Sequence, residues 1–267
     1  MPIGIIITGA AGRMGGRLIH LAQADSDLHV AFAIDRPNHA DLGRDVGEIT
    51  GLGKLGVVLV KAIPNGARAD VIVDFSTPPS TALRLDEAIE RRMPIVIGTT
   101  GLTRDIHEQI DRASKSIAIM QTGNYSVGVN VLVKLLEEAA RRLGNTDWNL
   151  EIVESHHNKK VDAPSGTALL LANAAARVWN VESDTAFVYG RHGQVGERTP
   201  KEIGIHSLRL GADAGTHTAY FGSGHETITL GHHALDRDVF AAGALRAAKW
   251  IVGQPPGRYT MADVLGI

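Results

Sequence analysis

The residues that most restrict the fold come first. Ile3 to Thr8 is an apolar strand-forming run, and it enters a turn containing Gly9, Gly12, Gly15 and Gly16. A helical pattern through Leu18, Ile19, Leu21 and Ala22 follows directly. Strand, glycine turn, helix is the setting that a dinucleotide fingerprint requires. Glycines permit a tight turn and close approach to a pyrophosphate, whose charge then rests at the helix N-terminus. The spacing is G-x-x-G-x-x-G, over Gly9, Ala10, Ala11, Gly12, Arg13, Met14 and Gly15. The next strand reads His29 to Ile34 and ends on Asp35, 20 residues after Gly15. A carboxylate there suits the hydroxyls of an adenosine ribose. Arg36 follows it, and a guanidinium suits a 2′-phosphate instead.

The α/β alternation continues. Val71 to Ser76 reads as a buried strand, 80–92 as a helix, Pro94 to Gly101 as a strand, 104–115 as a helix and Ile117 to Gln121 as a strand. The 41–61 stretch reads as a long loop or hairpin. Parallel strands gather their C-terminal ends on one edge, so Gly98, Thr99 and Thr100, then Thr122, Gly123, Asn124 and Tyr125, are expected near the glycine turn.

Past Val127 the pattern changes. A long amphipathic helix runs to about Leu143, and Leu150 to His157 reads as a strand. The loop ESHHNKKVDAPSGT, Glu154 to Thr167, then leads into a helix over Ala168 to Trp179. Histidine exchanges protons near neutral pH, and lysine is a cation that can also donate a proton. Ser165, Gly166 and Thr167 open a helix and offer hydroxyls and backbone N–H groups to an anion. Together they read as a site for a small acidic molecule. Four short strands follow at 185–190, 203–211, 216–222 and 226–233, forming an open antiparallel or mixed sheet. Such a sheet has one face to cover, which oligomers commonly do. A last helix, Val239 to Gly253, is expected to return to the first domain. The expected fold class is α/β. Residues 1–127 and 238–267 would form a Rossmann-like dinucleotide-binding domain, and 128–237 an α+β domain for substrate and assembly.

Composition removes several classes. Hydrophobic residues are 44% and charged residues 21%, which fits a packed globular chain. The net charge of −2 argues against nucleic acid or an anionic membrane as partner. There is no cysteine, so disulfides, thiolate metal sites and a cysteine nucleophile are excluded. No signal-like leader or membrane-length apolar run is seen, and a cytoplasmic location is expected. A zinc hydrolase built from His156, His157, His232 and His233 is a rival reading, as is a non-catalytic nicotinamide sensor. Adjacent histidines point apart on a strand and no H-E-x-x-H helix exists, so no metal is expected.

With these residues in hand the chain resembles the 4-hydroxy-tetrahydrodipicolinate (dihydrodipicolinate) reductase family along nearly its whole length. The resemblance rests on GAAGRMG (9–15), VIGTTG (96–101), NYSVGVN (124–130), ESHHNKKVDAPSGTA (154–168) and HHALDRDVFAAGALRAAKWI (232–251). It implies NAD(P)H-dependent reduction of a small dicarboxylate in diaminopimelate and lysine biosynthesis. His156 becomes the principal proton donor and Lys160 the second catalytic group. His157, Lys160, Ser165, Gly166 and Thr167 become substrate ligands, Gly9 to Met14 the pyrophosphate contacts, Asp35 and Arg36 the adenosine ribose contacts, and Gly98 to Thr100 with Thr122 to Tyr125 the lining of the nicotinamide side. Both NADH and NADPH are implied as cofactors, with a lean towards NADH from Asp35, and the assembly implied is a homotetramer. One departure stands out: Gln121-Thr122-Gly123 replaces the small Ala/Pro pair usual before the Asn.

Overall fold

The computed structural model describes residues 1–267 and divides the chain into two compact units. Unit 1 comprises Met1–Ser126 with Arg237–Gly266, and unit 2 comprises Val127–Asp236.

Unit 1 begins with β1 (Ile3–Thr8), α1 (Arg13–Ala24) and β2 (Leu28–Ile34). It continues through α2 (Val46–Thr50), β3 (Leu59–Val60), β4 (Val71–Asp74), α3 (Pro78–Arg91), β5 (Ile95–Ile97), α4 (Arg104–Ala113) and β6 (Ala118–Gln121). The chain leaves for unit 2 and returns as α8 (Asp238–Ile251), β12 (Gly257–Tyr259) and α9 (Met261–Leu265). The seven strands lie parallel in the order β12-β6-β5-β4-β1-β2-β3. Strands covered on both faces read as unbroken apolar runs, and Ile5–Ile7, Val71–Val73 and Ile95–Ile97 are all fully buried. Leu85 and Ala88 of α3, with Ile106 and Ile110 of α4, pack with Ile6, Ile72, Ile95 and Ile97. Helices α1 and α8 pack on each other, and α8 lies along β4, β5 and β6. Its small residues permit that approach: a Cβ on Gly243 would stand 1.8 Å from the Tyr125 carbonyl oxygen.

Two features of unit 1 differ from the sequence reading. The 41–61 stretch is neither plain loop nor hairpin. It holds α2 and the edge strand β3, which pairs parallel with β2. Asp45 folds it, because its carboxylate accepts from the N–H groups of Gly47, Leu55 and Gly56 at 2.8, 2.9 and 2.6 Å. A side-chain template of this kind has no hydrophobic period to reveal it. The second is β12, a three-residue edge strand beside β6, held partly by the Trp250–Tyr259 ring contact.

Unit 2 comprises α5 (Val127–Leu143), β7 (Asn149–His156), α6 (Gly166–Trp179), α7 (Ser183–Ala186), β8 (Phe187–Tyr189), β9 (Ile203–Arg209), β10 (Thr216–Gly222) and β11 (Thr227–His233). Its sheet is mixed, in the order β11-β10-β7-β9-β8. β10 runs antiparallel to β7 and β11, while β7, β9 and β8 run parallel. Alternation then assigns the faces. Leu150, Ile152, Ile203, Ile205, Ala219 and Phe221 pack against α5 and α6. The Trp179 indole N–H donates to the Ala140 carbonyl and anchors α6 to α5. The opposite face carries Val153, Thr218 and Tyr220 beside a charged group in which Arg191, Arg198 and His206 all bond Glu151. Burial raises the Glu151 carboxyl, but those bonds outweigh it and hold the group at about 2.

Candidate active site

In unit 1 the glycine turn is shaped by backbone. Gly9 has φ +72, a left-handed conformation that favours glycine, and a Cβ on it would lie 2.2 Å from the Phe75 carbonyl oxygen. A Cβ on Gly15 would lie 2.2 Å from the Gly9 carbonyl oxygen. No side chain caps α1 and its first turn holds no acidic residue, so its opening N–H groups suit an anion. The Ala11 N–H donates to one Asp35 carboxylate oxygen at 3.0 Å and the Arg36 N–H to the other at 2.8 Å. Asp35 thus braces the turn as well as facing it.

These residues line a cleft of about 520 Å³. Gly9, Ala11, Gly12, Asp35 and Arg36 are on its wall, and so are His39, Lys61, Ser76 and Arg84, which sequence reasoning did not single out. Lys61 follows β3, an element that the apolar pattern does not show. Arg84 stands on α3 and is 2% exposed.

Other expected cofactor residues are tied into the protein. The Thr99 hydroxyl donates to Asp74 at 3.0 Å and accepts from the Ser76 N–H at 2.9 Å. Asp74, fully buried at the end of β4, also receives the hydroxyls of Thr8, Ser76 and Thr81. One carboxylate therefore gathers the ends of β1, β4 and β5. Tyr125 is 3% exposed and its hydroxyl donates to the carbonyls of Ile97 and Met120. Burial, then the Asp74 charge, push its phenol up. The Asn124 side-chain oxygen Oδ1 accepts from the Ser126 N–H, and the Thr122 hydroxyl donates to the Asn124 backbone carbonyl. Side chains at 122–125 organise the loop. A Cβ on Gly98 would stand 2.1 Å from the Phe75 ring, so that glycine serves close packing. None of Gly98, Thr99, Thr100 or 122–125 lines the 520 Å³ cleft.

In unit 2, β7 delivers His156 to the loop that starts α6. His156 Nδ1 lies 2.6 Å from a carboxylate oxygen of Glu154, which is fully buried. That same carboxylate accepts both terminal nitrogens of Arg209 at 3.0 Å and the Ser165 N–H at 3.1 Å. Burial works to raise the Glu154 carboxyl, but Arg209 and His156 outweigh it and hold the group below its usual range. Ser165 caps α6, its Oγ accepting from the Ala168 N–H at 3.1 Å. His217 Nε2 lies 3.0 Å from the same Oγ, and the His217 ring meets that of His156 edge-on at 5.2 Å. Burial, then the neighbouring His156 charge, push His217 down to about 4, so it is neutral at pH 7.

Lys160 donates to both Asp162 carboxylate oxygens at 2.8 Å, and Arg209 donates to the Asp162 carbonyl. His157 accepts at Nδ1 from the Lys159 N–H, and its backbone N–H donates to the Asp213 backbone carbonyl. Gly166 opens α6 with free space where a Cβ would be. Glu154, Arg209 and His217 were not assigned roles from sequence. Arg209 and His217 lie 55 and 52 residues from Glu154 and Ser165 respectively, and only sheet register joins them. No three His, Asp or Glu side chains are arranged to hold a metal ion.

Family models described as dihydrodipicolinate reductase N-terminus and C-terminus match residues 3–125 and 128–265. The chain belongs to the dihydrodipicolinate reductase family. The 4-hydroxy-tetrahydrodipicolinate reductase of Halorhodospira halophila is 44% identical over 268 residues, covering 100% of both chains. That of Syntrophus aciditrophicus is 43% identical, covering 98% of this chain and 97% of its own. A dipicolinate-bound dihydrodipicolinate reductase from Paenisporosarcina sp. TG-14 shares the fold, with a TM-score of 0.77 at 22% identity over 98% of this chain and 99% of its own. Membership makes the chain an NAD(P)H-dependent oxidoreductase of amino-acid biosynthesis. No helix is long and apolar enough to cross a membrane.

Proposed function

We propose that this chain reduces 4-hydroxy-tetrahydrodipicolinate, by way of its dehydrated conjugated imine, to tetrahydrodipicolinate, with His156 giving the proton. The observation that carries the assignment is the Glu154–His156 pair beside the start of α6: a proton donor next to an anion-binding helix start. When bound, the cofactor supplies a hydride to C4 of the imine. The electron pair displaced to C3 must be met by a proton, which His156 donates from Nε2. Lys160, His157 and the Ser165-Gly166-Thr167 segment hold the two carboxylates, as cations and N–H donors do. Lys160 also steadies the negative charge that builds in the reaction.

Unit 1 holds the cofactor. Its fit rests on the two glycines that admit no Cβ and on the uncapped start of α1. Gly9 to Met14 hold the pyrophosphate and Asp35 with Arg36 the adenosine ribose, while 98–100 and 122–125 serve the nicotinamide end mainly through backbone. Both cofactors are used. Asp35 leans the balance to NADH, while Arg36 and Lys61 offer a 2′-phosphate charge-assisted contacts, so the preference stays within roughly tens-fold. The enzyme acts in the cytoplasm as a homotetramer joined through the open face of the unit 2 sheet, where Tyr220 and Leu208 are 39% and 50% exposed.

The test follows nicotinamide absorbance with freshly generated substrate, for the parent chain and His156→Gln. The parent oxidises either cofactor, and the variant keeps its fold while losing roughly 10²–10⁴ in kcat. A variant with near-parental kcat refutes His156 as donor, and a parent chain inert to this substrate refutes the substrate.

A further inference from the structure

A carboxylate beside a proton-donating imidazole can decide which ring nitrogen carries the proton. Glu154 is placed to do so. It is fully buried, and its two oxygens accept from His156 Nδ1, twice from Arg209 and from the Ser165 N–H, with the Ser207 hydroxyl as a further partner. A carboxylate accepting a bidentate arginine is ionised and has no proton to give. His156 Nδ1 is therefore the donor in this bond and carries hydrogen in either charge state. Nε2 is left as the nitrogen that exchanges its proton with a ligand. It faces Gly215, where a Cβ would come within 3.1 Å of it.

We propose that Glu154 is a positioning residue for the proton transfer: held by Arg209 and the Ser165 N–H, it fixes Nδ1–H of His156 and reserves Nε2 for delivery to substrate. The inference rests on His156 being the proton donor. Glu154 on its own strand and His217 from β10 meet His156 directly, Arg209 from β9 reaches it through Glu154, and Asp213 of the β9–β10 turn with His232 of β11 act on His217. The Lys160–Asp162 pair adjoins Arg209 and is nearly neutral as a unit. Neutral His217 adds no charge at pH 7. A neighbouring carboxylate favours a charged imidazole and a guanidinium opposes it, so removing each of these partners should act in opposite senses.

Glu154→Gln makes a specific change. With the amide carbonyl at Oε1 the bonds from Arg209 Nη2 and the Ser165 N–H are kept, and only the second Arg209 bond, to the Oε2 position that faces His156, is given up. The amide NH₂ then faces Nδ1 and donates to it, which moves the neutral proton to Nε2.

The experiment measures kcat/KM against pH for the parent chain, Glu154→Gln and Arg209→Met. ¹⁵N-histidine spectra at alkaline pH accompany it, with the His156 signals assigned by their loss in His156→Gln. The alkaline limb reports the acid of the free enzyme. It should move down by roughly one pH unit or more in Glu154→Gln and up in Arg209→Met, with cofactor KM unchanged in both. The neutral tautomer should be Nδ1–H in the parent and Nε2–H in Glu154→Gln. A residue with only a structural role would lower rate in both variants without opposite shifts, and that result overturns the proposal. So does an Nε2–H tautomer in the parent. If Glu154→Gln does not fold, the Arg209→Met limb and the parent tautomer still decide. Near-parental kcat in His156→Gln would instead refute the donor reading, leaving the tautomer result to judge Glu154 alone.

Discussion

Replacing Thr99 by valine separates two roles that sequence alone cannot distinguish. Valine keeps the shape and removes only the hydroxyl, and with it two hydrogen bonds. One runs to the buried Asp74 carboxylate at 3.0 Å and the other comes from the Ser76 N–H at 2.9 Å. A bond to a charged acceptor is worth about 1.5–3 kcal/mol and a neutral one about 0.5–1.5. Asp74 keeps three other hydroxyl donors, which puts its loss at the low end. The added methyl returns a fraction of a kcal/mol of apolar burial. The expected net loss is about 2 kcal/mol. In a unit of this size that lowers Tm by roughly 4–8 °C. Calorimetry of the parent and the variant reads this directly, and cofactor KM is measured on the same samples. A Tm within about 1 °C of the parent, with cofactor KM raised, would refute the reasoning. Thr99 would then bind ligand instead of tying β4 to β5.

Gly15→Ala should abolish measurable cofactor binding, because the new methyl would lie 2.2 Å from the Gly9 carbonyl oxygen and force the turn open. Nucleotide fluorescence titration checks this, and parental affinity would show that the turn holds no phosphate. Unfolding free energy should fall as pH drops from 6.5 towards 4, because the unfolded chain protonates His217 first while the folded site keeps it neutral. The span corresponds to roughly 3 kcal/mol, and His217→Gln should remove that part of the slope in urea titrations run across this pH range. Arg36→Ala and Lys61→Ala should each weaken NADPH and spare NADH, by up to about tenfold for groups at an exposed strand end. Steady-state kcat/KM for both cofactors tests this, and unchanged ratios in both variants would move the 2′-phosphate elsewhere.

The sequence by itself determined a great deal of this protein. Apolar runs such as Ile5–Ile7 and Val71–Val73 announced strands buried on both faces, and the glycines before Arg13 announced a turn against a helix start. These signals are local: a period, a missing Cβ, a helix cap. The grouping of His156, Lys160 and Ser165 was legible for the same reason, since one short loop carries them all. What lacked a local signal was decided by tertiary structure. Asp45 templates a segment through three backbone N–H groups, which no hydrophobic period records. The Thr99 hydroxyl, the Asn124 Oδ1 and the Tyr125 hydroxyl each bond within the protein, a bracing role that no local pattern announces. Arg209 and His217 reach the α6 start only because β9 and β10 flank β7 in this register. The division has a physical cause. Backbone conformation and amphipathicity act between neighbours in the chain, whereas a buried charge must find its partners wherever the fold brings them, here 55 residues apart between Glu154 and Arg209.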